Sequence, residues 1–252
     1  MLWRRGLERR ISELMPPQAL FESRLADFAC LARVPQQDWP RLRRLAAEIL
    51  ATKQFLGAGG LEPDYRDCLT VALHAALPVL DIGLDHYRNF QTFILYAQPF
   101  EVDVEETDEA GVVHGGRDLR AGEAWHLGPV VLSLSDVAES GHGDGFHVVI
   151  HELAHQIDQL NGEANGFPLL AADIDHGDWV RCFSTAYRQL LDEIESGRPP
   201  CIDDYGAESP AEFFAVACEF FFDCPDYLED TLPEIYSLLA RLFKQDPAAH
   251  CR

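Results

Sequence analysis

Apolar residues recur at helical spacing through the first 80 positions of the chain. In residues 41–55 they stand three or four apart, with basic residues between them: Leu42, Leu45, Ala46, Ile49 and Leu50. This period predicts an amphipathic helix, which the glycine-rich residues 57–60 end. Asp64 can cap a second helix, which runs up to Pro78. The front of the chain is therefore predicted to be helical.

The pattern changes to strands between residues 90 and 134. Residues 90–97 are aromatic and β-branched, residues 101–107 alternate apolar and acidic positions, and residues 130–134 form a short apolar run. The glycines between these segments mark turns. We therefore predict a small sheet of three or four strands, mostly antiparallel, that precedes the next helix of the chain.

Helical patterns return after residue 162. One helix is predicted over residues 178–196, another opens at Ser209-Pro210, and prolines at 225 and 233 delimit two more, the last over residues 232–244. The predicted fold class is α+β and mostly helical. We expect a helical N-terminal part at residues 1–85 and a second part at residues 86–252, joined in one compact unit.

The composition argues against some classes of function. The 252 residues carry a formal net charge of −22, whereas binding to nucleic acid or to an anionic membrane needs a basic surface. No signal peptide and no apolar run of membrane-spanning length is visible. The seven cysteines are odd in number and form no C-x-x-C pair, which favours reduced thiols and a cytoplasmic location.

The richest chemistry lies in residues 149–158, which contain an H-E-x-x-H motif in an apolar run. On a helix, His151 and His155 lie on one face, one turn apart, so both imidazoles can bind one Zn²⁺. Glu152 points about 100° away from His151 and can take a proton from water at the ion. We predict a helix of about four turns that opens at residues 144–146 and stops at residues 161–162. The alternative is an amphipathic helix whose polar residues face solvent.

A catalytic zinc ion usually takes three protein ligands, so a third ligand is needed. The extended motif H-E-x-x-H-x-x-G-x-x-H fails, because its Gly and third His positions hold Asp158 and Asn161. The ligand could instead be a carboxylate on a later helix. The candidates are Asp173, Asp175, Glu193, Glu195, Glu208, Glu212 and Glu219.

Glu212 has a second interpretation. Ser209-x-x-Glu212 with Pro210 between them is a capping box, in which Glu212 would return to the backbone of its own helix. The pattern alone does not separate a zinc ligand from a cap. Glu219, seven residues later on the same helix face, is an alternative ligand or a residue that supports one.

Several blocks of the chain together resemble one known family. They are HELAHQID at 151–158, YGAESPAEFFAVACEFFF at 205–222, GEAWHLGPVVLSLS at 122–135, GAGGL at 57–61 and LPVL at 77–80. In this combination, over nearly the whole chain, they look like the Mlc titration factor A family of zinc peptidases. The catalytic part of that family is similar to the toxin protease lethal factor, a gluzincin. The resemblance therefore implies a zincin-like core.

The resemblance also implies roles for individual residues. His151, His155 and Glu212 would be the zinc ligands, Glu152 the base, and Tyr205 a phenol over the metal that donates to the oxyanion. The alternative for Tyr205 is a half-buried loop tyrosine.

An upstream histidine that approaches the zinc in a latent state is a further implication of the resemblance. His114 matches best, with His126, His142 and His147 as alternatives and a solvated loop histidine as the competing interpretation. Asp158 lies three residues after His155, where it could orient a ligand imidazole or merely be solvated.

Three functions compete at this stage. The first is a zinc peptidase, with aminopeptidase-like activity on small peptides implied by the resemblance. The second, also implied by it, is a binding protein that sequesters a transcriptional repressor of the Mlc type, with a latent or regulatory zinc site. The third is a structural zinc site in a protein that is not an enzyme, with His114 as a permanent fourth ligand.

Overall fold

The computed structural model describes residues 2–107, 113–120, 122–124 and 128–250, with side chains at residues 4–99 and 128–250. The front of the chain is helical, as predicted. Its helices are α1 Leu2–Glu13, α2 Gln18–Asp27, α3 Ala29–Ala32, α4 Trp39–Thr52 and α5 Tyr65–Ala76. Asp64 caps α5 in a reciprocal capping box with Asp67, because each carboxylate satisfies a backbone N–H that the first helical turn leaves unpaired.

The main sheet has four strands in the order β1, β2, β6, β5. They are β1 Gln54–Gly57, β2 Thr92–Tyr96, β5 Gly122–Ala124 and β6 Val130–Ser133. β1, β2 and β6 run parallel, and only β5, at one edge, runs antiparallel to β6. A separate antiparallel pair is formed by β3 Phe100–Thr107 and β4 Val113–Arg120.

The prediction of a mostly antiparallel sheet was therefore wrong. Its first strand, β1, lies in residues that were assigned to the end of a helix and its stop. α5 lies between β1 and β2 in the sequence, and a crossover of this length lets consecutive strands run parallel. Every residue of β6 is buried, which is typical of a strand covered on both faces. The α+β, mostly helical fold class is confirmed.

The helices after the sheet carry the candidate site. They are α6 Leu134–Glu139, α7 Val148–Asp158, α8 His176–Glu195, α9 Pro210–Asp223, α10 Pro225–Thr231 and α11 Pro233–Phe243. The last four confirm the predicted helices. α7 contains the H-E-x-x-H motif, and it packs against α9, α5 and the edge strand β5.

One large hydrophobic core includes residues from α4 and α5 as well as from α7, α8, α9 and α11. It therefore extends across residue 85, where we divided the chain, and that division stays a prediction. Across the described residues, no helix has both the length and the apolar character that crossing a membrane requires.

Candidate metal centre

α7 begins at a polar cap rather than at the residues we predicted. His147 is the cap, and its Nδ1 accepts a hydrogen bond from the Ile150 backbone N–H at 3.3 Å. Residues 144–146, the predicted opening, belong to the preceding loop. In that loop the Asp223 carboxylate accepts hydrogen bonds from the backbone N–H groups of Gly143 and Gly145. α7 is consequently three turns long, and its motif starts in the first turn.

The two histidines of the motif face the same point, as their spacing predicts. The Nε2 atoms of His151 and His155 lie 3.2 Å apart. Both side chains are 12% exposed, so they are reachable from solvent but mostly shielded from it. The interpretation of α7 as a helix whose polar residues simply face solvent does not fit this arrangement.

Among the seven candidate carboxylates, Glu212 lies at these imidazoles. Its Oε2 is 3.0 Å from His151 Nε2 and 3.3 Å from His155 Nε2. Ser209 Oγ does accept a hydrogen bond from the Glu212 backbone N–H at 3.2 Å, so the serine half of the capping box is present. The Glu212 side chain nevertheless points to the histidines and is 21% exposed. The capping interpretation therefore applies to the backbone N–H of this residue, and the ligand interpretation to its carboxylate.

The other candidates have different surroundings. Glu193 accepts a hydrogen bond from the Cys201 backbone N–H, and Asp175 caps α8. Asp173 lies 3.8 Å from Arg241, while Glu195 and Glu208 are exposed.

Glu219 supports the site from behind. Its Oε1 lies 2.7 Å from His151 Nδ1, and its Oε2 accepts a hydrogen bond from the His147 backbone N–H at 2.5 Å. A carboxylate at Nδ1 fixes the orientation of a ligand imidazole and leaves Nε2 to bind the ion. Sequence reasoning gave Glu219 a supporting role but had no signal for its contact with the start of α7.

The two carboxylates control the protonation of this centre in the protein without metal. Burial alone would lower the pKa of His151, but the hydrogen bonds to Glu212 and Glu219 outweigh it and raise that pKa well above its usual value. Burial would raise the pKa of Glu212, but the hydrogen bonds from His151 and His155 hold it well below its usual range. Glu212 is therefore ionised at neutral pH, the form that binds a cation.

Tyr205 and Glu152 flank the imidazoles. Tyr205 lies in the turn before α9, where the Asp203 carboxylate accepts a hydrogen bond from its backbone N–H at 2.9 Å. Its ring centroid is 5.7 Å from that of His151, and the residue is 46% exposed. Glu152 is buried next to His151 and contributes to the raised pKa of that histidine.

Asp158 lies beneath a loop. Its Oδ2 accepts hydrogen bonds from the backbone N–H groups of Asn165 and Gly166, at 2.7 and 2.6 Å. These contacts tie the end of α7 to the loop that packs on Pro210, where α9 begins. Its suggested action on a ligand imidazole stays a prediction.

The histidines considered for a latent state are scattered. His147 is the buried cap of α7, and the ring of His142 lies 2.8 Å from the Ala138 carbonyl oxygen on the surface. His114 lies in β4, but its side chain is outside the described part of the chain, as is His126 altogether. The latent-state ligand therefore stays a prediction.

The donor atoms of His151, His155 and Glu212 fit a metal ion. They lie 3.0–3.3 Å from one another, and ligands held at about 2.0–2.2 Å in a tetrahedron are separated by roughly this distance. Two imidazoles and one carboxylate are also the ligand types of catalytic zinc. The same residues are a group that could hold a metal on distance alone.

A helix that offers two imidazoles and a second helix that offers a carboxylate form the candidate centre of a metal-dependent peptidase. Comparison with known proteins supports this class. Residues 2–244 match the glucose-regulated metallo-peptidase M90 family, and the chain belongs to that family.

The chain is also similar to proteins named Mlc titration factor A, which confirms the resemblance inferred from the sequence blocks. It is 33% identical to the one from Salmonella arizonae over 225 residues, 88% of this chain and 89% of the relative. The proteins of that name from Salmonella gallinarum and Salmonella paratyphi B are 33% identical over the same length and are covered to 84%.

Proposed function

We propose that this protein is a zinc-dependent peptidase that acts on small peptides in an aminopeptidase-like manner. The observation that carries the proposal is the convergence of His151, His155 and Glu212 at mutual distances of 3.0–3.3 Å. Membership of a metallopeptidase family supports the reaction class. The ligand set favours zinc, because imidazole and carboxylate ligands with a vacant fourth position are its usual catalytic arrangement.

The roles of the neighbouring residues follow from their positions. When bound, zinc would supply Lewis-acid polarisation of the scissile carbonyl and would lower the pKa of water to about 7. Glu152 accepts a proton from the attacking water at its carboxylate and passes it to the leaving amine. The Tyr205 hydroxyl donates a hydrogen bond to the oxygen that becomes negative. Glu219 holds His151 in place through its 2.7 Å contact.

The edge of the sheet offers a position for the peptide. β5 pairs on one side with β6 and packs against α7. An extended peptide can add to such an edge as a further strand, with its backbone hydrogen-bonded and its bonds near the helix. The peptide would thus lie beside α7.

A second function is favoured by the name that the relatives carry, Mlc titration factor A. We propose that this chain could also capture a transcriptional repressor of the Mlc type, with the zinc centre as a regulated or secondary feature. A cytoplasmic location would suit both functions, and the described cysteines are free thiols.

The first test is the substitution Glu152→Gln. It keeps the size of the side chain and removes the base, so zinc content should be unchanged while hydrolysis of an amino-acid anilide falls by about 10²–10⁴-fold. Glu163→Gln, at an exposed position in the loop after α7, is the matched control and should keep full activity. Full activity in Glu152→Gln would refute the assigned base.

Two further measurements define the activity. An anilide with a free amino group, compared with its N-acetylated form, tests the aminopeptidase-like preference, and equal turnover would contradict it.

Capture of purified Mlc-type repressor by the wild type and by His151→Ala tests the second function. Equal capture would mean that binding does not need the zinc centre, whereas no capture by either protein would rule that function out for this chain.

A further inference from the structure

Three metal-binding side chains meet at a second place, at the start of α7. Cys30 comes from α3, His74 from α5, and His147 is the cap of α7. We call these three residues the buried cluster. Cys30 Sγ lies 3.7 Å from His147 Nε2, and His74 Nδ1 lies 2.7 Å from the same nitrogen. One donor atom from each residue falls within 4.8 Å of the others.

The cluster is sealed from solvent. Cys30 is 2% exposed, and both histidines are fully buried. Burial lowers the pKa of His74 to about 3 and that of His147 well below its usual value. Both imidazoles are therefore neutral at pH 7, which is the form that binds metal ions.

The two buried imidazoles share one hydrogen bond. Because His147 Nδ1 accepts from Ile150, its Nε2 carries the proton and donates to His74 Nδ1. His74 Nε2 then carries a proton of its own, and it has no hydrogen-bond partner among the described residues.

Gly141 closes the cluster on one side. A Cβ at this position would lie 2.7 Å from Cys30 Sγ and 3.4 Å from His147 Nε2. Its φ of +79° also suits glycine. The Gly141 carbonyl accepts a hydrogen bond from the Cys30 backbone N–H at 3.1 Å. A side chain at this position would therefore collide with the cluster.

We propose that Cys30, His74 and His147 hold a second metal ion, Zn²⁺, distinct from the one at the candidate metal centre. A thiolate with two imidazoles is a ligand set that zinc favours. On binding, the Cys30 S–H bond breaks, a sulfur–zinc bond forms and the proton leaves to solvent. Three protein ligands leave the fourth position to water or a small anion.

Binding replaces the hydrogen bond between the two imidazoles. Two nitrogens at about 2.0–2.1 Å from one zinc ion lie roughly 3.3 Å apart in a tetrahedron, so the 2.7 Å His74–His147 contact must widen. The His147 proton must also move from Nε2 to Nδ1. This proton transfer breaks the capping hydrogen bond from the Ile150 backbone N–H to His147 Nδ1. At 3.3 Å that bond is already long for a hydrogen bond.

A cleft lies beside the cluster at Cys30. Cys30 lines a cleft of about 160 Å³ between the front helices and the end of the chain. The charged residues of the lining are Asp38, Asp81, Asp246, Arg33 and Lys244. Asp38 and Asp81 are both paired with Arg41.

The ion would act on the packing of the protein. It would link α3 and α5 to the cap of α7, three separate parts of the chain. The backbone N–H of His147 donates to the same Glu219 carboxylate that contacts His151. Through Glu219, an ion in the buried cluster would therefore be coupled to the helix that carries the H-E-x-x-H motif.

Cobalt substitution tests the proposal, because thiolate ligation gives Co²⁺ an intense near-ultraviolet charge-transfer band. The candidate metal centre has no sulfur ligand, so such a band reports the buried cluster alone. Full-length protein freed of metal by a chelator should bind two Co²⁺ per chain and show the band. His151→Ala should lose one equivalent and keep the band, and Cys30→Ser should lose the other equivalent together with the band.

Cys182→Ser is the matched control, since Cys182 is a buried cysteine on α8 outside the cluster, and it should keep both ions and the band. Circular dichroism checks that Cys30→Ser folds, and His74→Gln repeats the test from another ligand. In the His151→Ala background, Zn²⁺ should raise the Tm, and Cys30→Ser should abolish that rise. A wild type without the band, or a band that survives Cys30→Ser, overturns the proposal whatever the peptidase activity proves to be.

Discussion

Two groups of side chains with metal-ligand chemistry meet at α7 and differ in exposure, charge and ligand type. The candidate metal centre, formed by His151, His155 and Glu212, is partly open and contains a carboxylate. The buried cluster of Cys30, His74 and His147 is closed and contains a thiol. Both contain two histidines, so residue type alone does not decide what such a group can do.

The difference shows in the histidine pKa values. Burial lowers the pKa of His147, which lacks a carboxylate partner for its ring, whereas Glu212 and Glu219 reverse the effect of burial on His151. A centre that must bind substrate and move protons needs solvent access and charge, which only the first group has. A group that is neutral and sealed is suited to hold an ion permanently.

The largest expected effect is that of Glu212→Ala, which removes a negative charge from the candidate metal centre. Glu212→Ala removes the only carboxylate that contacts both motif histidines among the described residues. Zinc affinity there should fall by more than the roughly 10–100-fold seen when a hydrogen-bond partner of a ligand is lost, and activity should disappear at stoichiometric zinc. Competition with a chelating dye measures the affinity. The thiolate–cobalt band should be unchanged, and its loss would mean that the two groups are not independent.

Tyr205→Phe tests whether the openness of the centre is used in catalysis. Removal of one donor to a developing oxyanion lowers kcat by about 10²–10³-fold in other enzymes, and we expect a loss of that size with zinc content and KM little changed. Tyr227→Phe, at another exposed tyrosine, is the control. A loss confined to KM would assign Tyr205 to substrate binding rather than to the oxyanion.

The candidate metal centre was far easier to predict from the sequence than the buried cluster. His151 and His155 are four residues apart, and helical geometry alone brings them together. Glu212 is distant in sequence, and the pattern could not separate a ligand from a cap until the resemblance to a family favoured one. Cys30, His74 and His147 lie on three different segments, so no spacing rule relates them and only the packed fold does.

The fold, like the site, could be predicted only where a local sequence pattern determines the structure. Helices with strong amphipathic periods, such as α4 and the helices from α8 onward, were predicted close to their observed bounds. The short strand β1 follows α4 after one residue, and its four residues gave no pattern against the helix before it. Its parallel pairing with β2 depends on α5 crossing between them, which is a tertiary event.

Glu219→Gln addresses the connection between the two groups. The carboxylate contacts His151 and the backbone of His147, so its neutral amide weakens the support of a ligand imidazole. We expect about a 10–100-fold loss of zinc affinity at the candidate metal centre, and a smaller one at the buried cluster. Glu229→Gln on α10 is the control, and cobalt titration read at two wavelengths separates the two groups. Unchanged affinity at both would contradict the supporting role.

The smallest expected effect is that of Ser209→Ala. This substitution tests whether the stability of α9 and the binding of an ion by Glu212 are independent. Ser209→Ala removes the oxygen that accepts from the Glu212 backbone N–H and should lower the free energy of unfolding by about 0.5–2 kcal/mol. Zinc affinity should stay within a few-fold of wild type, because the Glu212 side chain contacts the imidazoles and not the Ser209 backbone. Urea unfolding of the metal-free protein and zinc competition measure the two quantities, with Ser237→Ala, at an exposed position inside α11, as the control. A loss of zinc affinity as large as that expected for Glu219→Gln would mean that the cap, and not the ion, sets the position of this carboxylate.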